Sequence, residues 1–170
     1  MAARDPNHKR IMKLSAALSI LLLFTLAACE KSGDFKEMRD FPKNEWYIAH
    51  KQTFEFTIND TTATYRFNYL VRNSIAYPFY NLYLQQKLTD SSGTQLSGSM
   101  DEVILFDKKS GKPYGDGMGD IFDCRIQAPK LQAMKFSRPG KYRWIISHSM
   151  RPDPLTGIMS IGVEILKNTK

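Results

Sequence analysis

The side chains able to do chemistry in this sequence are few: two cysteines, three histidines and a glycine-spaced pair of aspartates. Cys29 closes the run Leu26-Ala27-Ala28-Cys29, an aliphatic residue and two small ones ahead of a cysteine. That order is the lipobox, in which the thiol takes up a diacylglyceryl group and the chain is cut just before it, so lipidation is expected at Cys29. Cys124 then has no partner within the chain. It sits in the apolar-bearing run 121–126, and unpaired cysteine is among the most buried residue types, so a core role is expected. His8 leaves with the leader. His50 and His148 belong to no ligand-spaced cluster, and His148 shares strand phase with Trp144 and Ile146, which fits a partly buried structural histidine. A hydrolase or metal enzyme would need His50, His148 and a carboxylate to meet in one pocket. No Gly-x-Ser-x-Gly elbow, His-Glu-x-x-His pair or phosphate loop is present. The chain reads as a non-enzyme, with no cofactor, metal or catalytic residue expected.

Two further stretches stand out. Gly115-Asp116-Gly117-Met118-Gly119-Asp120 frees the backbone at three positions and offers two carboxylates, with Asp101 and Asp107 as further oxygen donors. It lacks the Asp-x-Asp-x-Asp-Gly order and distal glutamate of a calcium loop, and the helix that dinucleotide glycines need. A tight connecting loop is the expectation, on a face able to carry recognition. Tyr77-Pro78-Phe79-Tyr80-Asn81-Leu82-Tyr83 gathers aromatics around a proline. Buried, such a cluster packs a core or sheet edge; exposed, it binds sugars or partner proteins. The candidate contact residues are Tyr77, Tyr80, Gly115, Asp116, Asp120 and Arg151.

The elements that must position these residues begin after a leader. Residues 14–28 are almost entirely apolar and follow Lys9, Arg10 and Lys13. The stretch is shorter than the ~20 residues of a membrane span and has the parts of a secretory signal. Residues 1–28 are therefore expected to be a lipoprotein signal peptide; a start at Met12 would leave the lipid site unchanged. Removing them takes away four basic residues and one acidic one, and the net charge falls from +7 to +4. The remaining surplus is spread out, as Lys108, Lys109, Lys130, Lys135, Arg138 and Lys141 among others, with no dense block to track phosphates. No nucleic-acid partner is expected.

The chain beyond the leader is long enough for one domain. Residues 29–43, charged or small for the most part, read as a lipidated tether with little fixed structure before Phe41. Residues 44–170 change to short runs rich in aromatic and β-branched residues, separated by turn signals. Strands are expected over 52–58, 64–72, 81–89, 102–106, 121–126, 140–148 and 158–166. The first two read as an antiparallel pair about an Asn59-Asp60 turn. The fold class is all-β: a single antiparallel sandwich of about seven or eight strands, because alternating faces need a second sheet to cover them.

Taken together, the layout resembles the gliding-motility lipoprotein family lettered H, GldH, over nearly all of residues 29–166. The matching pieces are the lipobox cysteine, Trp46 ahead of the first strand, Asp60 in the turn, and Arg72-Asn73 before Tyr77-Pro78-Phe79 and Asn81-Leu82-Tyr83-Leu84. Then come 115–120, Gly140-x-Tyr142, and Met150-Arg151-x-Asp153-x-Leu155-x-Gly157-Ile158. Lys112-Pro113-Tyr114 stands where the family pattern has a tryptophan just before the glycine loop. The resemblance implies a non-enzymatic envelope lipoprotein that supports surface gliding, in bacteria whose motility machinery is entwined with a secretion system for adhesins. It carries over no catalytic residue.

Three functions of different class fit these residues. The first is an interaction lipoprotein of the gliding and secretion apparatus, held to the bilayer through diacylglyceryl-Cys29, facing the periplasm, and touching other envelope proteins through loops at 78–81, 115–120 and 150–157. The second is a carbohydrate-binding sandwich using Tyr77, Tyr80 and Tyr114. The third is the hydrolase or metal enzyme that His50 and His148 would serve.

Overall fold

Phe54, Phe56 and Ile58 alternate with Thr53, Glu55 and Thr57, and in a pleated strand that spacing sends three apolar side chains to one face and three polar ones to the other. A computed structural model, which describes residues 34–168, builds the chain from such segments. In chain order they are β1 Phe35–Asp40, β2 Glu45–Trp46, β3 Gln52–Ile58, β4 Thr64–Ser74, β5 Asn81–Asp90, β6 Gln95–Ile104, β7 Asp116–Met118, β8 Ile121–Gln127, β9 Met134–Lys135, β10 Gly140–His148, β11 Leu155–Thr156 and β12 Ile158–Lys167. One sheet runs β1-β12-β4-β8-β7, with β9 beside the start of β4; the other runs β3-β10-β5-β6. β2 and β11 form a short ribbon, and the described pairings are antiparallel. The all-β sandwich expected from the sequence is the fold observed. The leader and Cys29 lie outside the described residues.

Inward faces of the two sheets meet in a core dominated by rings. Trp144 of β10 lies edge-on to Phe67 at 5.2 Å between centroids and 4.9 Å from Tyr69, both on β4. Phe136 and Tyr142 close one end of this core at 4.5 Å. A buried polar chain crosses it: Tyr69 Oη donates to Asp101 at 2.7 Å, Ser99 Oγ donates to the other Asp101 oxygen at 2.7 Å, Gln86 Nε2 donates to Ser99 Oγ at 2.9 Å, and Trp144 Nε1 donates to Gln86 Oε1 at 3.1 Å. Burial and the Asp101 carboxylate together push the Tyr69 hydroxyl far above its ordinary pKa, so it stays a donor.

Three local expectations change. Residues 35–40, expected within a loose tether, are an edge strand whose Phe35 stands opposite Ile165 and whose Asp40 stands opposite Ser160. The main-chain pairing with β12 orders a segment that has little apolar content of its own. Second, β3 and β4 are not a hairpin. β3 pairs with β10 and β4 with β12 and β8, so the 59–63 connection arches between sheets. Phe56 and Phe67 meet across the sandwich at 5.6 Å, and an apolar face serves that contact as readily as it serves a neighbour in one sheet. Third, β6 starts at Gln95, well before the expected 102, because Ser97, Ser99 and Asp101 fill its inner side with hydrogen bonds where an apolar alternation would have signalled a strand. In β12 a register shift between Ile158 and Ser160 interrupts the alternation and places Ile158 inside together with Ile161, Val163 and Ile165.

The two ends of the sandwich differ in what they carry. Ile158 of β12 stands opposite Asn73, while at its other end Lys167 stands opposite Tyr65 and its amide donates to Asp34 Oδ1 at 3.3 Å. The chain thus enters the domain at the end bearing 58–64, 90–95 and 134–141. The loops after β4, β6 and β10 lie at the opposite end.

Candidate functional site

That opposite end is assembled from three loops, and the backbone explains why they stay together. After β4 the chain turns at Ser74, whose Oγ accepts from the Ala76 amide at 3.1 Å and whose carbonyl accepts from the Tyr77 amide at 3.0 Å. Tyr77 then points inward: it is 5% exposed and its hydroxyl donates to the Asn81 carbonyl at 2.9 Å. Gly157 lies directly against it. Its φ is +85°, and a Cβ there would come within 2.9 Å of the Tyr77 Cα, so the close approach requires glycine. The Ser74 amide donates to the Gly157 carbonyl at 2.9 Å, and the Ile75 amide donates to the Asp120 carbonyl at 2.8 Å. Those two bonds bind loops 150–157 and 115–120 to the same turn.

The glycine loop is a hairpin between β7 and β8, with Met118 opposite Ile121. Gly115 enters it at φ +88°, and a Cβ there would collide with the Asp123 carbonyl and the Cys124 sulfur. Its residues therefore answer to packing, as a tight connection requires. Cys124 is buried, as expected, with its Sγ donating to the Tyr114 carbonyl at 2.9 Å. Burial first, then the nearby Asp123 and Asp116, pushes the thiol up to about 11, so it stays protonated and unreactive.

The four aspartates considered for calcium do not converge. Asp101 is buried on Tyr69 and Ser99, and Asp107 folds its own turn by accepting from the Ser110 amide at 2.7 Å and the Lys109 amide at 3.1 Å. Among the described residues no group of three or more acidic, histidine or cysteine side chains is placed to hold a metal. His50 is exposed against the Tyr47 ring at 5.2 Å, whereas His148 is sealed beneath Trp46.

His148 does have a measurable consequence. Its Nε2 donates to the Trp46 carbonyl at 3.0 Å, and its Nδ1 is buried with no partner. Burial holds the imidazole below its ordinary pKa of 6.5, against the opposing pull of the Trp46 carbonyl and Asp153. The unfolded chain therefore takes up this proton first as pH falls, so the contribution to stability is complete at neutral pH and is lost on acidification through 6.5. The urea midpoint should drop between about pH 7.5 and about pH 5.5, and His148→Gln should flatten that drop. An unchanged slope in the variant assigns it to other groups.

At the surface of this end, the candidate residues separate. Tyr77, expected as a contact residue, is a buried support. Tyr80 is half-buried with the Lys108 ammonium 5.2 Å from its ring centre, and Tyr114 is exposed with its hydroxyl donating to Asp107 at 3.2 Å. The three tyrosines do not present a shared sugar-stacking platform. Asp116, Asp120 and Arg151 are exposed. Residues not singled out from the sequence complete the face: Met118 is 89% exposed, and Ile75 and Ile121 lie beside it. Arg72 reaches Asp123 through two bonds, Nε to Oδ1 at 2.7 Å and Nη2 to Oδ2 at 2.9 Å, at the side of a shallow cleft of about 510 Å³ floored by Met118, Ile121 and Met159. A methionine at the tip of a glycine-aspartate hairpin was the available signal, since such a position cannot reach the core.

Comparison with known proteins decides the relationship. The GldH lipoprotein family model matches residues 34–165, which is the whole folded domain apart from its last few residues. The chain belongs to the GldH lipoprotein family. A gliding motility lipoprotein GldH homolog from Christiangramia forsetii is 25% identical over 161 residues, covering 91% of this chain and 96% of that protein. Gliding motility lipoprotein GldH from Flavobacterium johnsoniae is 24% identical over 158 residues, covering 89% and 95%. Solved structures overlap only loosely with this GldH domain. Infectious bursal disease virus VP2 aligns with a TM-score of 0.36 and 13% identity, over 80% of this chain and 32% of the viral one. Latent PorU from Porphyromonas gingivalis gives 0.33 and 10%, over 80% and 13%. The chain spans a third or less of each, and these overlaps carry no argument.

Proposed function

We propose that this GldH-family chain is a non-catalytic lipoprotein of the cell envelope. It supports gliding motility and the associated secretion machinery by binding other envelope proteins, and it faces the periplasm. The observation that carries the reading is the gathering of loops 74–81, 115–120 and 150–157 at the end opposite the one where the chain enters. Its relatives are named gliding motility lipoproteins, which supports the first part.

The geometry supports a definite arrangement. Cys29, the proposed acceptor of diacylglycerol, is five residues from Asp34, so that link spans no more than about 18 Å. β12 alone runs ten residues, about 30 Å, from the entry end to the loop end. A short leash at one end and recognition loops at the other keep the contact surface clear of the lipid. Exposed apolar Met118, Ile75 and Ile121 beside Asp120, with exposed Arg151 on the loop tied to the same turn, suit a protein partner that meets apolar and charged groups together.

Combined Tyr80→Ala and Arg151→Ala should leave the folded chain intact while reducing co-purification of envelope partners and colony spreading. Arg151 is exposed and Tyr80 is half-buried against the margin of the core, so the melting temperature serves as the control. Retention of both activities by the double variant places the contact surface elsewhere.

A further inference from the structure

The entry end of the domain has a charge character that the contact surface does not explain. Residues 130–141, from the turn after β8 to the start of β10, hold Lys130, Lys135, Arg138 and Lys141 and no acidic residue. All four are exposed, and Lys130, Lys135 and Arg138 form no ion pair among the described residues. Arg66 and Lys167 belong to the same end, where β4 begins and β12 finishes. The acids there are largely occupied. Asp60 pairs with Lys167, Glu55 with Lys141 and Arg143, and Asp90 accepts from Ser92 Oγ at 2.6 Å and the Thr94 amide at 2.9 Å; Asp34 accepts from the Lys167 amide. The opposite end mixes signs, with Asp107, Asp116, Asp120 and Asp153 among its lysines and Arg151.

The basic residues also frame a cleft of about 500 Å³. Leu96, Met134, Phe136 and Tyr142 line it together with Lys135, Arg138 and Lys141, and the one carboxylate in the lining, Asp90, is engaged by Ser92 and Thr94. Tyr142 Oη donates to the Arg138 carbonyl at 2.6 Å, which holds the rim segment in place. Three cations among apolar side chains suit the headgroup boundary of a bilayer. The described chain starts at this end with Asp34, which is five positions after Cys29 in the sequence.

We infer that the 130–141 end of the domain docks on the anionic phospholipid headgroups of the bilayer to which the chain is anchored, with a phosphate seated between Lys135 and Arg138. Resting as it does on lipidation at Cys29, the inference adds an orientation: the lipid holds the domain near the surface, and the basic end turns the loop end outward. Juxtamembrane basic residues gain most within a Debye length of anionic lipid, about 8–10 Å, and lipid on Cys29 would keep the domain close enough to the surface to make that contact.

The test uses the full lipidated chain in vesicles of phosphatidylcholine, alone or mixed with phosphatidylglycerol. A polarity-sensitive fluorophore is attached at Ser137→Cys in one preparation and at Met118→Cys in another; Cys124 is buried and does not compete for the label. With phosphatidylglycerol present, the Ser137 probe should become shielded from an aqueous quencher by at least tenfold, and the Met118 probe should not. High salt, or Lys130→Gln, Lys135→Gln and Arg138→Gln together, should abolish the shielding while the chain stays on the vesicles. Equal quenching at Ser137 in both lipids, shielding that survives the triple substitution, or shielding at Met118 overturns the inference. A chain that fails to remain on any vesicle overturns the anchoring itself, a different result read from the bound fraction.

Discussion

Cys29→Ser removes the thiol that would accept diacylglycerol, and in cells fed an alkyne fatty acid the variant should carry no label where the wild-type chain is labelled. It should also keep its leader, since cleavage follows lipid transfer, and migrate as the larger precursor. The expected loss of label is complete because the Cys29 thiol is the proposed acceptor, and with it goes the anchor, since stable attachment takes two or more acyl chains. Among the described residues no helix is long and apolar enough to replace it. Cys124→Ser is the matched control: that thiol is buried on the Tyr114 carbonyl and is not available for transfer, so the label should persist. Label on the Cys29→Ser chain, or a mature wild-type chain that begins upstream of position 29, would refute the anchor.

Trp144→Ala should be the most destabilising substitution in the core. The indole is fully buried, with Phe67 at 5.2 Å and Tyr69 at 4.9 Å, and truncation of such a ring costs about 3–5 kcal/mol. The loss also strands Gln86 Oε1, which accepts from Trp144 Nε1 at 3.1 Å, and an unpaired buried acceptor adds about 1–3 kcal/mol. Against a total stability of about 5–15 kcal/mol, the variant sits near the edge of folding. Urea unfolding should show a large fall in midpoint, whereas Trp144→Phe, which keeps most of the volume while losing the N–H, should fall by less than half as much. Equal losses in the two variants would mean that the hydrogen-bonded chain from Trp144 to Asp101 matters more than the packing.

Both predictions bear on how the proposed contact surface is held. Tyr69, Asp101, Ser99, Gln86 and Trp144 tie β4 to β6, β5 and β10, and the ends of β4 and β10 carry two of the three loops, 74–81 and 150–157. Loops on a rigid frame can hold a recognition geometry that free segments cannot. Weakening the frame should therefore lower partner binding without any change in the loops.

Long strands were legible wherever one face was apolar. Residues 52–58 and 140–148 coincide with β3 and β10, because Phe54, Phe56 and Ile58, and Tyr142, Trp144 and Ile146, repeat every second position. Legibility failed where ordering came from elsewhere. β1 is ordered by its pairing with β12, and the start of β6 by hydrogen bonds from Gln86 and Tyr69. Tyr77 is hidden from a sequence reading for the same reason: its burial depends on Gly157, eighty residues away.

What the amino-acid sequence carried unaided was local: a lipobox pattern, an apolar stretch ahead of it, the two-residue period of the main strands and hence an all-β chain. Tertiary structure alone decided which strands are neighbours, that β3 and β4 belong to opposite sheets, and that three loops far apart in the chain share one end while a basic segment occupies the other. The physical reason is that a period-two pattern states which side of a strand must leave water, and says nothing of which partner will cover it. That choice is made by the packing of the whole chain at once.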